Sequence, residues 1–116
     1  MDFQEKQRII QEYVPGKQVT LAHVISKPDK ELYHKLGVVG EYQDSIGVMT
    51  ITPSEGAIIA ADIASKSAVI ELIFIDRFSG SLVFTGTVSD VEAALENIMD
   101  VLCKELNFIE TRITKT

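Results

Sequence analysis

The side chains best suited to acid–base or nucleophilic chemistry near neutral pH are two histidines, His23 and His34, and one cysteine, Cys103. A general base needs an imidazole held beside the proton it removes and oriented by a partner. His23 falls inside an apolar run and reads as a structural imidazole. His34 lies on the polar side of a short helix and reads as a surface residue. The three share no spacing that would build a zinc site, which takes closer pairs or more ligands. Cys103 falls beside the apolar stripe of a long helix, where a thiol packs as a small hydrophobe. Glu55, Asp62 and Glu71 are scattered along the chain, and Gly37, Gly40 and Gly47 make no phosphate-cradling pattern. No catalytic residue, cofactor or metal is expected, and an enzyme is the weak reading.

Two features carry more information. The pentapeptide Asp76-Arg77-Phe78-Ser79-Gly80 separates two apolar runs and places a bare aromatic ring at a polar turn. A solvated hairpin loop accounts for it on composition, but an apolar ring at a loop tip also marks a contact. Lys66, near the end of a helix rich in small residues, is in one reading only a cation favoured by the helix macrodipole.

The elements that position these residues follow from periodicity. Residues 69–75 and 82–88 are rich in β-branched and aromatic residues and read as two strands of a hairpin. Before them, residues 17–26 and 45–52 read as strands. In the first, Val19, Leu21, His23 and Ile25 are expected on one face, with Thr20, Ala22, Val24 and Ser26 on the other. Gly47, inside the second, suggests close approach of another backbone. A short helix over 28–36 stops at Gly37. Thr52-Pro53-Ser54-Glu55 has the pattern of a capping box opening a helix that runs to about Ser67 and carries Gly56, Ala57, Ala60, Ala61 and Ala64. Ser89-Asp90-Val91-Glu92 repeats that pattern before a second long helix, where Val91, Ala94, Leu95, Ile98, Leu102 and Leu106 form a stripe. Residues 108–114 close the chain as a weak strand. The class is α+β, with the β-α-β-β-α-β order of a ferredoxin-like unit.

Residues 8–14 read as an additional strand, stopped by Pro15-Gly16 and too short to have a core of its own. It needs the domain or a partner chain. Residues 1–7 read as a flexible terminus without the apolar stretch of a secretory signal. The 116 residues support one domain. A net charge of −6 with no basic run argues against nucleic-acid and anionic-membrane binding. A single cysteine offers no internal disulfide and points to a reducing, cytosolic setting.

Three stretches together resemble a known family. They are residues 11–23 (Gln11-Glu12-Tyr13-Val14-Pro15-Gly16-Lys17-Gln18-Val19-Thr20-Leu21-Ala22-His23), residues 50–55 and the turn at 76–80. Over residues 8–116 the chain is similar to the circularly permuted shell proteins of bacterial microcompartments (BMC), of the propanediol-utilisation "U" and ethanolamine-utilisation "S" types. The resemblance implies a single permuted BMC domain over residues 17–116, forming a homohexameric structural tile with a central pore. Asp76, Arg77, Phe78, Ser79 and Gly80 would line that pore. Lys66 and Lys27 would lie at the hexamer edge and meet other shell proteins. Ile9, Ile10, Gln11, Glu12 and Tyr13 would belong to an N-terminal strand that forms a six-stranded barrel over the pore. Enzyme targeting peptides are a further partner, and the location implied is a microcompartment shell in the cytoplasm. Arg77 and Phe78 are bulkier than a small, glycine-rich pore turn, so open, gated and plugged pores all remain. Propanediol, ethanolamine and choline-type pathways are not distinguished. The competing reading is a ferredoxin-like module that binds a small metabolite and regulates.

Overall fold

The computed structural model describes residues 16–38 and 44–116. The strand expected over residues 8–14 lies outside the described residues, as do residues 39–43 of the acidic loop. The described elements run in the order β1 (Gln18–Ser26), α1 (Lys30–Lys35), β2 (Ser45–Thr52), α2 (Gly56–Ser67), β3 (Glu71–Asp76), β4 (Ser81–Gly86), α3 (Val88–Asp100) and β5 (Ile113–Lys115). A π-helical turn, Val101–Glu105, extends α3.

The strands form one sheet in the order β3-β4-β2-β1-β5. Its ladders are antiparallel apart from the parallel pairing of β1 with β5. Helices α2 and α3 cover one face. There Val19, Ala22, Val24, Met49, Ile51, Leu82 and Phe84 from the strands meet Ala60, Ala61, Ala64, Val91, Ala94, Leu95, Ile98 and Leu102 from the helices. The alanines of α2 lie on its buried side, so the helix packs closely on the sheet and against α3. A smaller cluster around Tyr33, Ile46 and Val83 fills the opposite face beneath α1.

A ferredoxin-like unit sets its fourth strand beside its first. In this sheet the neighbour of β2 on that side is β1, and β5 lies outside it. The closing strand expected over 108–114 is reduced to one bridge from Ile109 to Gln18 and the three residues of β5. Burial explains the substitution. β1 contributes three fully buried side chains, Val19, Ala22 and Val24, whereas Glu110 and Arg112 are exposed. The faces of β1 also differ from strict alternation. A register shift between Val19 and Leu21 moves Val19 onto the same face as Ala22 and Val24. Thr20, the extra residue, bonds the Thr50 hydroxyl across the ladder at 2.6 Å.

Both expected capping boxes are displaced. Thr52 ends β2 opposite Gln18, three residues before the α2 cap position at Glu55, and so does not cap that helix. The chain instead enters α2 through tight bonds from Gly56, Ala57 and Ile58 N–H to Pro53, Ser54 and Glu55 carbonyls, and Glu55 makes no side-chain cap. At α3 the cap is Thr87, two residues before the expected Ser89. Its hydroxyl accepts from Asp90 N–H at 3.1 Å and donates to the Asp90 carboxylate at 2.9 Å. β4 ends at Gly86, and Thr87 follows it in the extended conformation of an N-cap. The short helix spans Lys30–Lys35, within the expected 28–36; Gly37 follows its end at φ +79° as expected, and Asp29 caps it.

Candidate functional site

The hairpin between β3 and β4 brings Asp76, Arg77, Phe78, Ser79 and Gly80 into one rigid turn. The Asp76 carboxylate accepts from the N–H groups of Phe78 at 2.9 Å and Ser79 at 3.3 Å, an Asx-type closure. Gly80 N–H donates to the Asp76 carbonyl at 2.8 Å, and the Gly80 carbonyl accepts from Ile51 N–H at 2.9 Å. The second bond ties the turn to the end of β2. Gly80 sits at φ +77°, and a Cβ there would lie 2.1 Å from the Ile51 carbonyl oxygen. Glycine is required on both counts.

The Phe78 N–H, with Ser79, holds the Asp76 carboxyl below its ordinary range. A depressed folded value means that the ionised form supports the turn above the unfolded value, and that support is lost as pH falls through the folded one. The Phe78 and Ser79 amide resonances are therefore expected to titrate together, with a midpoint below that of a free aspartate, about 3.9. A midpoint at or above that value would contradict the closure.

At the tip, the Arg77 guanidinium stacks over the Phe78 ring at 5.1 Å. Phe78 nevertheless remains 83% exposed. Beside it lies a depression of about 350 Å³, lined by Ile58, Ile75, Asp76, Arg77 and Phe78. Ile58 was not legible as part of this site. The signal available was the alanine face of α2, which turns Ile58 and Ile59 away from the sheet to leave both exposed.

Lys66 stands at the last turn of α2, where its ammonium pairs with Asp62 at 2.8 Å. Lys27 follows β1 in a left-handed conformation at φ +49°, and its N–H donates to the Asp44 carbonyl at 2.8 Å. Among the described residues no hydrogen bond or ion pair joins the two lysines to each other or to the turn. Both are exposed. Ile9, Ile10, Gln11, Glu12 and Tyr13 lie outside the described residues.

The residues with catalytic potential are otherwise engaged. The ring nitrogens of His23 bond the hydroxyls of Thr114 at 2.5 Å and Thr116 at 2.9 Å, which pins β5 to β1. Burial, with Glu110 and Asp100 nearby, pushes the Cys103 thiol up, away from thiolate character. Among the described residues no group of three His, Cys, Asp or Glu side chains could hold a metal ion. No helix there is long and apolar enough to cross a membrane.

The edge of the sheet is unusual for a single chain. β3 is an outer strand, yet Leu72, Phe74 and Ile75 are each 37–41% exposed, and Val69 just before it is 82% exposed. An apolar edge strand is a template for association with another chain.

Residues 45–115 match the family model of the BMC domain. The chain is 53% identical over 109 residues to the bacterial microcompartment shell protein PduU of Salmonella typhimurium, covering 94% of this chain and 93% of that one. It is 52% identical over 111 residues to the shell protein EutS of the same organism, covering 96% and 98%. Among solved structures, the flat hexamer of CutR superimposes with a TM-score of 0.83 at 50% identity, covering 94% of this chain and 99% of that chain.

Proposed function

The chain belongs to the BMC domain family of bacterial microcompartment shell proteins, and on that premise we propose that it is a structural subunit of such a shell, assembled as a homohexameric tile. The observation that carries this is identity of about half, over nearly the whole length, to chains named as shell proteins and to a further relative, CutR, solved as a flat hexamer. The exposed apolar edge of β3 supports it, since a closed ring would cover that edge. The family match favours this function over the metabolite-binding module. The chain acts by tiling and by controlling passage, not as an enzyme, and it resides in the microcompartment shell.

The finer organisation is our own reading. Residues 17–116 form one circularly permuted BMC domain, supported by the position of β1. It stands beside β2 where a last strand would stand, and α1 follows it. Residues 8–14, with Ile9, Ile10, Gln11, Glu12 and Tyr13, pair with their copies in a barrel. The turn formed by Asp76, Arg77, Phe78, Ser79 and Gly80 borders the central pore, a role that suits a turn tied to the sheet at both ends. A targeting peptide docks on the barrel face. Intact cargo capture after deletion of residues 1–14 would remove that role.

Lys66 and Lys27 serve the lateral edges, where an ammonium donates to carbonyls of a neighbouring tile. Lys66→Ala tests this. The Asp62–Lys66 pair is exposed, 75% at the lysine side chain, and spans one helical turn. Its loss should cost no more than about 0.5 kcal/mol after solvent screening. The variant should keep its melting temperature and hexameric mass while extended sheets vanish from electron micrographs. Normal sheets would exclude Lys66 from the edge.

A further inference from the structure

We propose that Phe78 of one subunit seats in the depression beside the same turn of the next subunit, against Ile58 and Ile75, and leaves Arg77 to face the axis of the ring. This rests on the hexamer proposed above and names the contact that holds its central turn. Four observations lead to it.

The turn that carries the ring is hydrogen-bonded in place: Asp76 accepts from Phe78 and Ser79 N–H, and the Gly80 carbonyl accepts from Ile51 N–H. Arg77 covers one face of the ring, which leaves the other open, and Phe78 is 83% exposed. The receiving surface is built from Ile58, 50% exposed, and Ile75, 41% exposed. Its volume of about 350 Å³ is ample, since an apolar cavity of roughly 150 Å³ accepts benzene.

A knob and a hole fixed on one rigid surface cannot satisfy each other within one chain, because Phe78 is itself a wall of the depression. The contact is therefore between copies, and it uses two different patches. Such head-to-tail contacts close into rings when the rotation permits. A 50% identical relative is solved as a flat hexamer, the stoichiometry that such a closed ring would have. Seating the ring removes an aromatic surface of about 150–250 Å² per subunit from water. The occupant is thus a second copy of this chain, and the pore is bordered by guanidinium groups in place of a plug of six phenyl rings.

Cross-linking distinguishes the arrangements. In a Cys103→Ala background, chains carrying Phe78→Cys and chains carrying Ile58→Cys are co-expressed, purified as assemblies and treated with a short bis-maleimide. Both sites are exposed, so the substitutions leave the fold intact. Co-assembled chains should give covalent dimers at least tenfold more abundant than either variant alone. A single chain with both substitutions should give a ladder reaching six. Equal cross-linking by Phe78→Cys alone would place the rings together on the axis and overturn the proposal. A ladder that stops at two would do the same, as would a hexamer with no cross-link. If the cysteine chains do not assemble, Ile58→Asp decides. It should reduce the hexamer at least tenfold at equal concentration with an unchanged monomer fold by circular dichroism, and an undiminished hexamer overturns the proposal. A parent chain that is itself monomeric would sink the shell function together with this contact, whereas a hexameric parent without the contact sinks only the latter.

Discussion

Replacing Gly80 by alanine is expected to destabilise the domain by about 3–4 kcal/mol, a large part of the 5–15 kcal/mol that holds such domains folded. Two costs combine. A left-handed conformation costs a residue with a Cβ about 1–2 kcal/mol. The new methyl would also lie 2.1 Å from the Ile51 carbonyl oxygen, a backbone atom that cannot move without breaking the Ile51–Gly80 hydrogen bond. Gly37 provides the control. It has nearly the same φ, +79°, but nothing lies within 4 Å of its missing Cβ. Gly37→Ala should therefore cost only the conformational part, about 1–2 kcal/mol. Thermal unfolding of both variants measures the difference, with Tm expected to fall by about 10–15 °C for Gly80→Ala. Equal shifts for the two would show that the Ile51 carbonyl is not the obstacle.

The second large effect lies at Phe84, which is fully buried and directly opposite Gly47 in the ladder between β4 and β2. Its ring tip fills the space above Gly47, with Cε2 and Cζ each 2.7 Å from where a Cβ would stand and Val91 Cγ1 at 3.0 Å. Phe84→Ala empties that space and should cost about 3–5 kcal/mol. Gly47→Ala overpacks it and should cost about 1–3 kcal/mol, because the ring and Val91 Cγ1 both crowd the added methyl. The two sites share one volume, so their effects cannot add. Gly47→Ala made in a Phe84→Leu background should cost at least about 0.5 kcal/mol less than in the parent. Strict additivity in denaturant unfolding would show that the ring relaxes freely.

That pair also shows where sequence reasoning stopped. A glycine inside β2 signalled close approach, but the approaching group is an aromatic side chain, not a backbone. Periodicity and turn residues reveal that a space is needed and do not reveal what fills it. The same limit displaced both capping boxes. Thr52 has the right neighbours for a cap, but α2 starts only at Gly56, with its cap position at Glu55. The apolar pattern carries Thr87 into the second hairpin strand, whereas β4 ends at Gly86. The extra residue at Thr20 is invisible to an alternation pattern and moves Val19 across the sheet. By contrast, β2, the short helix with its Gly37 stop, the buried stripe of α3 and the hairpin were legible, because each rests on local periodicity or turn chemistry. At the candidate site, composition gave an exposed phenylalanine on a turn. Its hydrogen-bonded closure by Asp76 and the waiting surface at Ile58 needed the fold. Its proposed place at the centre of a ring rests on family resemblance and concerns symmetry that a single chain does not contain.

The functional consequence of the Gly80 prediction follows from the same geometry. A turn that shifts off Ile51 would carry Arg77 and Phe78 with it, so Gly80→Ala should weaken assembly even at temperatures where the domain remains folded. Association is the property that this substitution tests. The central claim is tested most directly by the native mass of the purified chain in solution, measured by light scattering coupled to size exclusion. A structural shell tile of this family should have the mass of six 12.8 kDa chains and hold it on dilution. A stable species of one 12.8 kDa chain would contradict it.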